Sequence, residues 1–153
     1  MADTHVLTPR RTESVRERAA GAAVLDDHRR AVYPAYKLLH IAFIVVPIVA
    51  GVDKFFHVLT NWDMYLSSAV ERMLPFSGHA FMLGVGVIEV VAGLLVAFKP
   101  RIGGFVVAAW LLGITINLLL PPGWYDIALR DLGLATGALA LAILAGKEVA
   151  GSR

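Results

Sequence analysis

Four long apolar stretches follow one another between residues 36 and 145, and no soluble fold of this size has enough interior to hide them all. The first runs from Tyr36 to Val58. The second, His79 to Phe98, carries one charge, Glu89, near its centre. The third, Ile102 to Leu120, has no charge and one amide, Asn117. The fourth, about Trp124 to Ala145, opens with Asp126, Arg130 and Asp131 and then runs apolar from Leu132. A hydrocarbon core of ~30 Å needs ~20 helical residues to cross it. Each stretch meets that length if the first carries Asp53 and Lys54 into or near the membrane. Pro47 is a kink signal within it.

Composition agrees. The chain is 58% hydrophobic and 17% charged, against ~45–50% and ~25% in soluble domains. The expected fold is therefore all-α: an integral membrane bundle of four helices. Residues 32–147 form the membrane domain, residues 1–31 a mobile cytoplasmic tail, and residues 148–153 a C-terminal tail. Within the first tail, Thr12 to Leu25 could form a short helix. No apolar run follows the first few residues, so no secretory signal is read there.

Charge distribution sets the expected orientation. The N-terminal tail, Lys37, Lys99, Arg101, Lys147 and Arg153 fall on one side of a four-span chain. Lys54, Arg72 and Arg130 fall on the other. The positive-inside rule places both termini in the cytoplasm. Trp62, Tyr65, Trp124 and Tyr125 fit an aromatic belt at the outer interface. The net charge of +2 is explained by this flanking pattern, and nucleic acid is not an expected partner. The expected partners are the lipid bilayer and other membrane protein subunits.

Residues 59–76 join the first two spans on the outer side. Leu66, Val70, Met73 and Leu74 lie at helical spacing, and Ser68 with Glu71 has the spacing of a capping box. These features predict a short amphipathic helix at the interface. In the fourth span, Gly133 and Gly137, extended by Ala138 and Ala142, form a small surface on which a helix can pack closely.

Charges within lipid are costly and usually face a bundle's interior. Asp53, Lys54, Glu89, Arg130, Asp131 and Asn117 converge in the outer half of a four-span model and are the candidate polar network or binding pocket. Asp53 and His57 share a helix face by spacing, as do Asp126 and Arg130. Two uses compete: an ion-pair network that locks the helices, or a pocket for a small redox molecule or a proton centred on Glu89. No catalytic residue is identified. His57 and His79 both fall near the outer interface and could ligate a cofactor together, yet they form no spacing motif. No metal and no covalent or obligatory cofactor is expected, and haem is disfavoured. His40 reads as an interfacial residue, while His5 and His28 lie in the tail. The chain has no cysteine, which excludes disulfides, thiolate nucleophiles and cysteine-held clusters from this chain.

Three segments resemble the DoxX-like family of small four-helix bacterial membrane proteins. Gly51-Val-Asp-Lys54 is similar to that family's first-span ending. Gly86-Val-Ile-Glu89, followed by Gly93, is similar to its second helix. Arg130-Asp131-Leu132 is similar to the start of its fourth helix. The stretch Leu59 to Leu66 resembles a subgroup with a longer outer connection. The resemblance covers about residues 36–146. It implies an accessory or anchoring subunit of a quinone-linked redox or respiratory complex, with quinone as the candidate ligand, more than an autonomous enzyme. The alternatives are a small-solute or proton carrier using Glu89, and an autonomous quinone-dependent thiosulfate or thiol oxidoreductase.

Overall fold

A computed structural model describes the backbone of residues 9–151 and the side chains of 13–28 and 30–146. The elements are α1 (Pro9–Asp53), a 3-10 turn (Trp62–Tyr65), α2 (Ser68–Glu71), α3 (Gly78–Phe98), α4 (Pro100–Leu119) and α5 (Tyr125–Gly151). No strand occurs among the described residues. Four helices, α1, α3, α4 and α5, are long and apolar enough to cross a membrane, so the chain is an all-α bundle of membrane type.

The chain divides into two units between Ala35 and Tyr36, four residues later than the boundary read from sequence. In the first unit, residues 9–35 are helical, so the short helix read over Thr12 to Leu25 is part of a longer one. Its described side chains are exposed, and an Arg30–Asp26 ion pair of 2.9 Å lies one turn apart on its surface. Residues 1–8 of the expected tail lie outside the described residues. At the other end α5 continues past residue 147, where a tail was expected, to Gly151.

The second unit, from Tyr36, holds the bundle. Its interior is rich in small side chains: Ala92, Ala108, Ala128, Ala135, Ala138, Ala142 and Ala145 are all buried, beside larger residues such as Phe43, Leu118 and Leu141. Large apolar residues face outward on all four spans, among them Val45, Val49, Val91, Phe105, Ile116 and Ile143. Lipid solvates such residues as well as a protein core would. Small interior residues let the backbones approach, and dispersion contacts rather than water exclusion then hold the helices.

Three local signals shape the connections. Lys99 alone separates α3 from α4, and Pro100 opens α4 at a position where its missing N–H is harmless. That break leaves the end of α3 short of donors for its last carbonyls. His40 supplies one, its Nε2–H donating to the Val96 carbonyl at 2.9 Å. His40 is thus half-buried and ties the end of α3 to α1. Gly123 turns the chain between α4 and α5 with φ of 110°, a left-handed conformation that glycine adopts without strain.

The segment between α1 and α3 holds the expected short helix, confined to one turn. It forms the 3-10 turn and a four-residue α2. The cap of α2 is Ser67, not Ser68: its side chain accepts from the Val70 N–H at 3.3 Å. Ser67 is held there because its own N–H donates to the Asn117 side-chain oxygen on α4 at 3.1 Å. A tertiary hydrogen bond has shifted the cap by one residue.

Candidate functional site: a buried ion pair beside an apolar cavity

The site begins with glycines. On α3 the residues Met82, Val85, Gly86, Glu89, Ala92, Gly93 and Val96 are buried and form one helix face. That face meets α1. A Cβ placed on Gly51 would lie 2.5 Å from the Gly86 carbonyl oxygen, and one placed on Gly86 would lie 2.6 Å from the Gly51 carbonyl oxygen. Two turns along, a Cβ on Gly93 would lie 2.9 Å from the Ile44 carbonyl oxygen. The two backbones therefore touch at glycine on both sides. Gly86 also leaves room for the base of the Lys54 side chain, whose Cβ would be 3.2 Å from an added methyl group.

Lys54 and Glu89 each stand three residues after a glycine of this crossing. The long lysine stem reaches along α3 and places Nζ 2.5 Å from the Glu89 carboxylate. Both side chains are almost fully enclosed, at 3% and 10% exposed. Lys54 Nζ also sits 3.8 Å from the centroid of the Trp62 ring, so the indole face shares in stabilising the ammonium. Asp131 on α5 is half-buried within electrostatic reach of both Lys54 and Glu89.

The six polar residues singled out from sequence do not form one network. Lys54 and Glu89 pair, with Asp131 nearby. Asp53 is buried but serves the connection that follows α1. Its carboxylate accepts from the N–H groups of Val58 and Leu59 and, at 2.7 Å, from Trp62 Nε1. Asn117 likewise braces that connection, accepting from Ser67 and donating to the Tyr65 carbonyl at 2.7 Å. Arg130 is exposed and lies 3.4 Å from Asp126, the neighbour one turn back on its own helix. Asp53 and His57 do not share a helix face as their spacing suggests, because α1 ends at Asp53.

A cavity of about 830 Å³ opens beside the pair, bounded by residues of all four spans. Its walls are largely apolar side chains. Five of the six polar residues singled out from sequence, Lys54, Glu89, Asn117, Arg130 and Asp131, line it, and Trp62 and Trp110 join them. The Trp110 indole N–H is buried and approaches the Glu89 carboxylate without closing a hydrogen bond of full geometry. Buried donors of this kind are uncommon in folded proteins. Gly113 and Gly133 line the same cavity, and a Cβ at either would meet nothing within 4 Å. Gly133 is therefore a gap in the wall, not half of a helix-packing pair. Close packing of α5 uses Gly137 against the Phe43 ring, and Ala138 and Ala142 against Gly104.

Sequence reasoning missed Trp110 and Trp62 as parts of the site. Trp62 sits in a connection whose placement depends on Asp53 and Asn117. Trp110 looks like any apolar residue of a span until its indole nitrogen is seen to approach Glu89. No family model, curated protein or solved structure matches the chain.

Proposed function

We propose that the chain is a DoxX-like accessory or anchoring subunit of a quinone-linked redox complex, and that the cavity beside the Lys54–Glu89 pair holds the quinone. The observation that carries this reading is an apolar cavity of ligand size with a buried donor on its polar side, Trp110 Nε1, whose approach to Glu89 falls short of full hydrogen-bond geometry. Pockets for small molecules typically span ~300–1,000 Å³ and combine apolar walls with a few convergent polar groups. A quinone ring offers carbonyl oxygens to an indole N–H and to the Lys54 ammonium. Its isoprenoid tail suits the apolar walls and the surrounding lipid. The Gly51–Lys54 and Gly86–Glu89 segments that carry the family resemblance are the ones that build the pair. Glu89 as a proton carrier is less well supported, because Lys54 already neutralises it.

The test is extraction and titration. Protein purified in mild detergent is expected to carry co-extracted quinone, and a short-tailed quinone should quench the fluorescence of Trp62 and Trp110. Gly133→Leu fills open cavity space without a backbone clash. It should weaken quinone binding by about tenfold or more, the equivalent of ~1.4 kcal/mol. Equal binding by wild type and Gly133→Leu, or none by wild type, sinks the reading.

The same proposal places the bundle in the bacterial cytoplasmic membrane with both termini inside. Reporter fusions after Phe76 and after Gly123 should report outside, and a fusion after Pro100 should report inside. One reversed reporter is enough to reject this orientation.

A further inference from the structure

A second cluster of ligating side chains lies on the connection between α1 and α3, apart from the cavity's ion pair. His57 follows the end of α1, Asp63 lies in the 3-10 turn, and His79 is the second residue of α3. The His79 Nδ1 is 2.9 Å from one Asp63 carboxylate oxygen. The two imidazoles stack with centroids 5.7 Å apart and planes 23° from parallel. One donor atom from each of the three residues lies within 4.8 Å of the other two. We propose that His57, Asp63 and His79 form a binding site for a divalent first-row transition metal, with Zn²⁺ as the working case.

The donor set suits such an ion. Two imidazoles and one carboxylate are borderline ligands favoured by zinc and its neighbours, and three protein ligands leave a position for water. Two neutral imidazoles and one carboxylate bring a single negative charge to a dication. Zinc bonds to these donors measure ~2.0–2.2 Å, which places tetrahedral donors about 3.4 Å apart. Asp63 and His79 already lie inside that separation. The largest separation allowed by the cluster needs to close by about 1.4 Å, and the two rings can turn because neither is fully enclosed.

An independent observation at the same residue points to a cation. The second Asp63 oxygen, Oδ1, is buried and accepts no hydrogen bond. An unsatisfied buried carboxylate oxygen is costly, and a bound cation would supply what the chain does not. The Asp63–His79 contact also gives the competing state a clear form, with a proton on Nδ1 held where the metal would sit. Metal binding would displace that proton. The sequence shows no metal motif, because the three donors are 57, 63 and 79 in number and meet only through the fold of the connection.

This inference does not rest on the quinone reading, and its test is separate. Full-length protein without a polyhistidine tag, in lipid nanodiscs and stripped with chelator, would be titrated with Zn²⁺ against a chromophoric competitor. A parallel titration with Co²⁺ would follow its visible absorption bands. One equivalent is expected, with bands of a low-coordinate site. Asp63→Asn keeps the shape of the side chain and removes its charge. His57→Gly removes a ligand at a residue whose φ is 53°, a conformation glycine accepts freely. Each change should weaken binding by about tenfold or more, at least the loss typical when a supporting residue of a metal site is removed. A variant carrying both His5→Gln and His28→Gln should bind as wild type does. Binding that survives Asp63→Asn and His57→Gly undiminished, or that vanishes in the His5/His28 variant, overturns the assignment. So does a wild-type protein that takes up no Zn²⁺ and no Co²⁺.

Discussion

Glu89→Gln is expected to lower the stability of the bundle by about 3–5 kcal/mol, because it takes from the enclosed Lys54 ammonium its paired counter-charge and leaves only the half-buried Asp131 within reach. Lys54→Met should cost a similar amount by stranding the carboxylate. Lys54 is 3% exposed and Glu89 10%, so water cannot take the place of the missing partner. The double variant Lys54→Met/Glu89→Gln removes both charges and should recover much of the loss, since no uncompensated charge then remains from the pair. The measurement is unfolding of the detergent-solubilised protein by a graded denaturing surfactant, completed as a double-mutant cycle. Additive losses would show that the two side chains do not depend on each other. The same cycle separates structure from function. If the double variant folds but no longer binds quinone, the pair belongs to the ligand site as well as to the helix crossing.

Gly86→Ala is expected to destabilise the bundle by about 1–3 kcal/mol, the usual range for overpacking. The new methyl group would sit 2.6 Å from the Gly51 carbonyl oxygen. The obstacle is backbone, which cannot swing aside as a side chain can. The helices must separate by several tenths of an ångström, and Lys54 then reaches Glu89 less well. Gly51→Ala should act in the same way, from the opposite side. Gly84→Ala provides the contrast. It lies on the exposed side of the same helix with nothing within 4 Å of its would-be Cβ. Relief of the conformational freedom of glycine should leave it neutral or more stable by ~0.5–1 kcal/mol. Equal effects at Gly84 and Gly86 would mean that helix propensity, and not close approach, governs both sites.

What the sequence by itself determined about this protein is its helical, membrane-type architecture. Lipid offers a backbone no hydrogen bonds, so an apolar run of ~20 residues has few conformations open to it besides a helix. Pro100 and Gly123 then mark helix boundaries through local chemistry. Glu89 was legible as an interior residue for a related reason, since a lone charge in a span must find a partner. Which partner it finds was not legible. Lys54 and Arg130 both fall near the right depth, and depth does not give direction around a helix. The contact of Gly51 with Gly86 decided it, by bringing α1 against the Glu89 face of α3. Arg130 instead found Asp126 on its own helix, and Asp53 and Asn117 were taken up in holding the connection after α1. The cavity, the approach of the Trp110 N–H to Glu89 and the meeting of His57, Asp63 and His79 belong wholly to the tertiary structure. Each depends on residues far apart in the chain, whose relative positions follow from how closely the backbones pack.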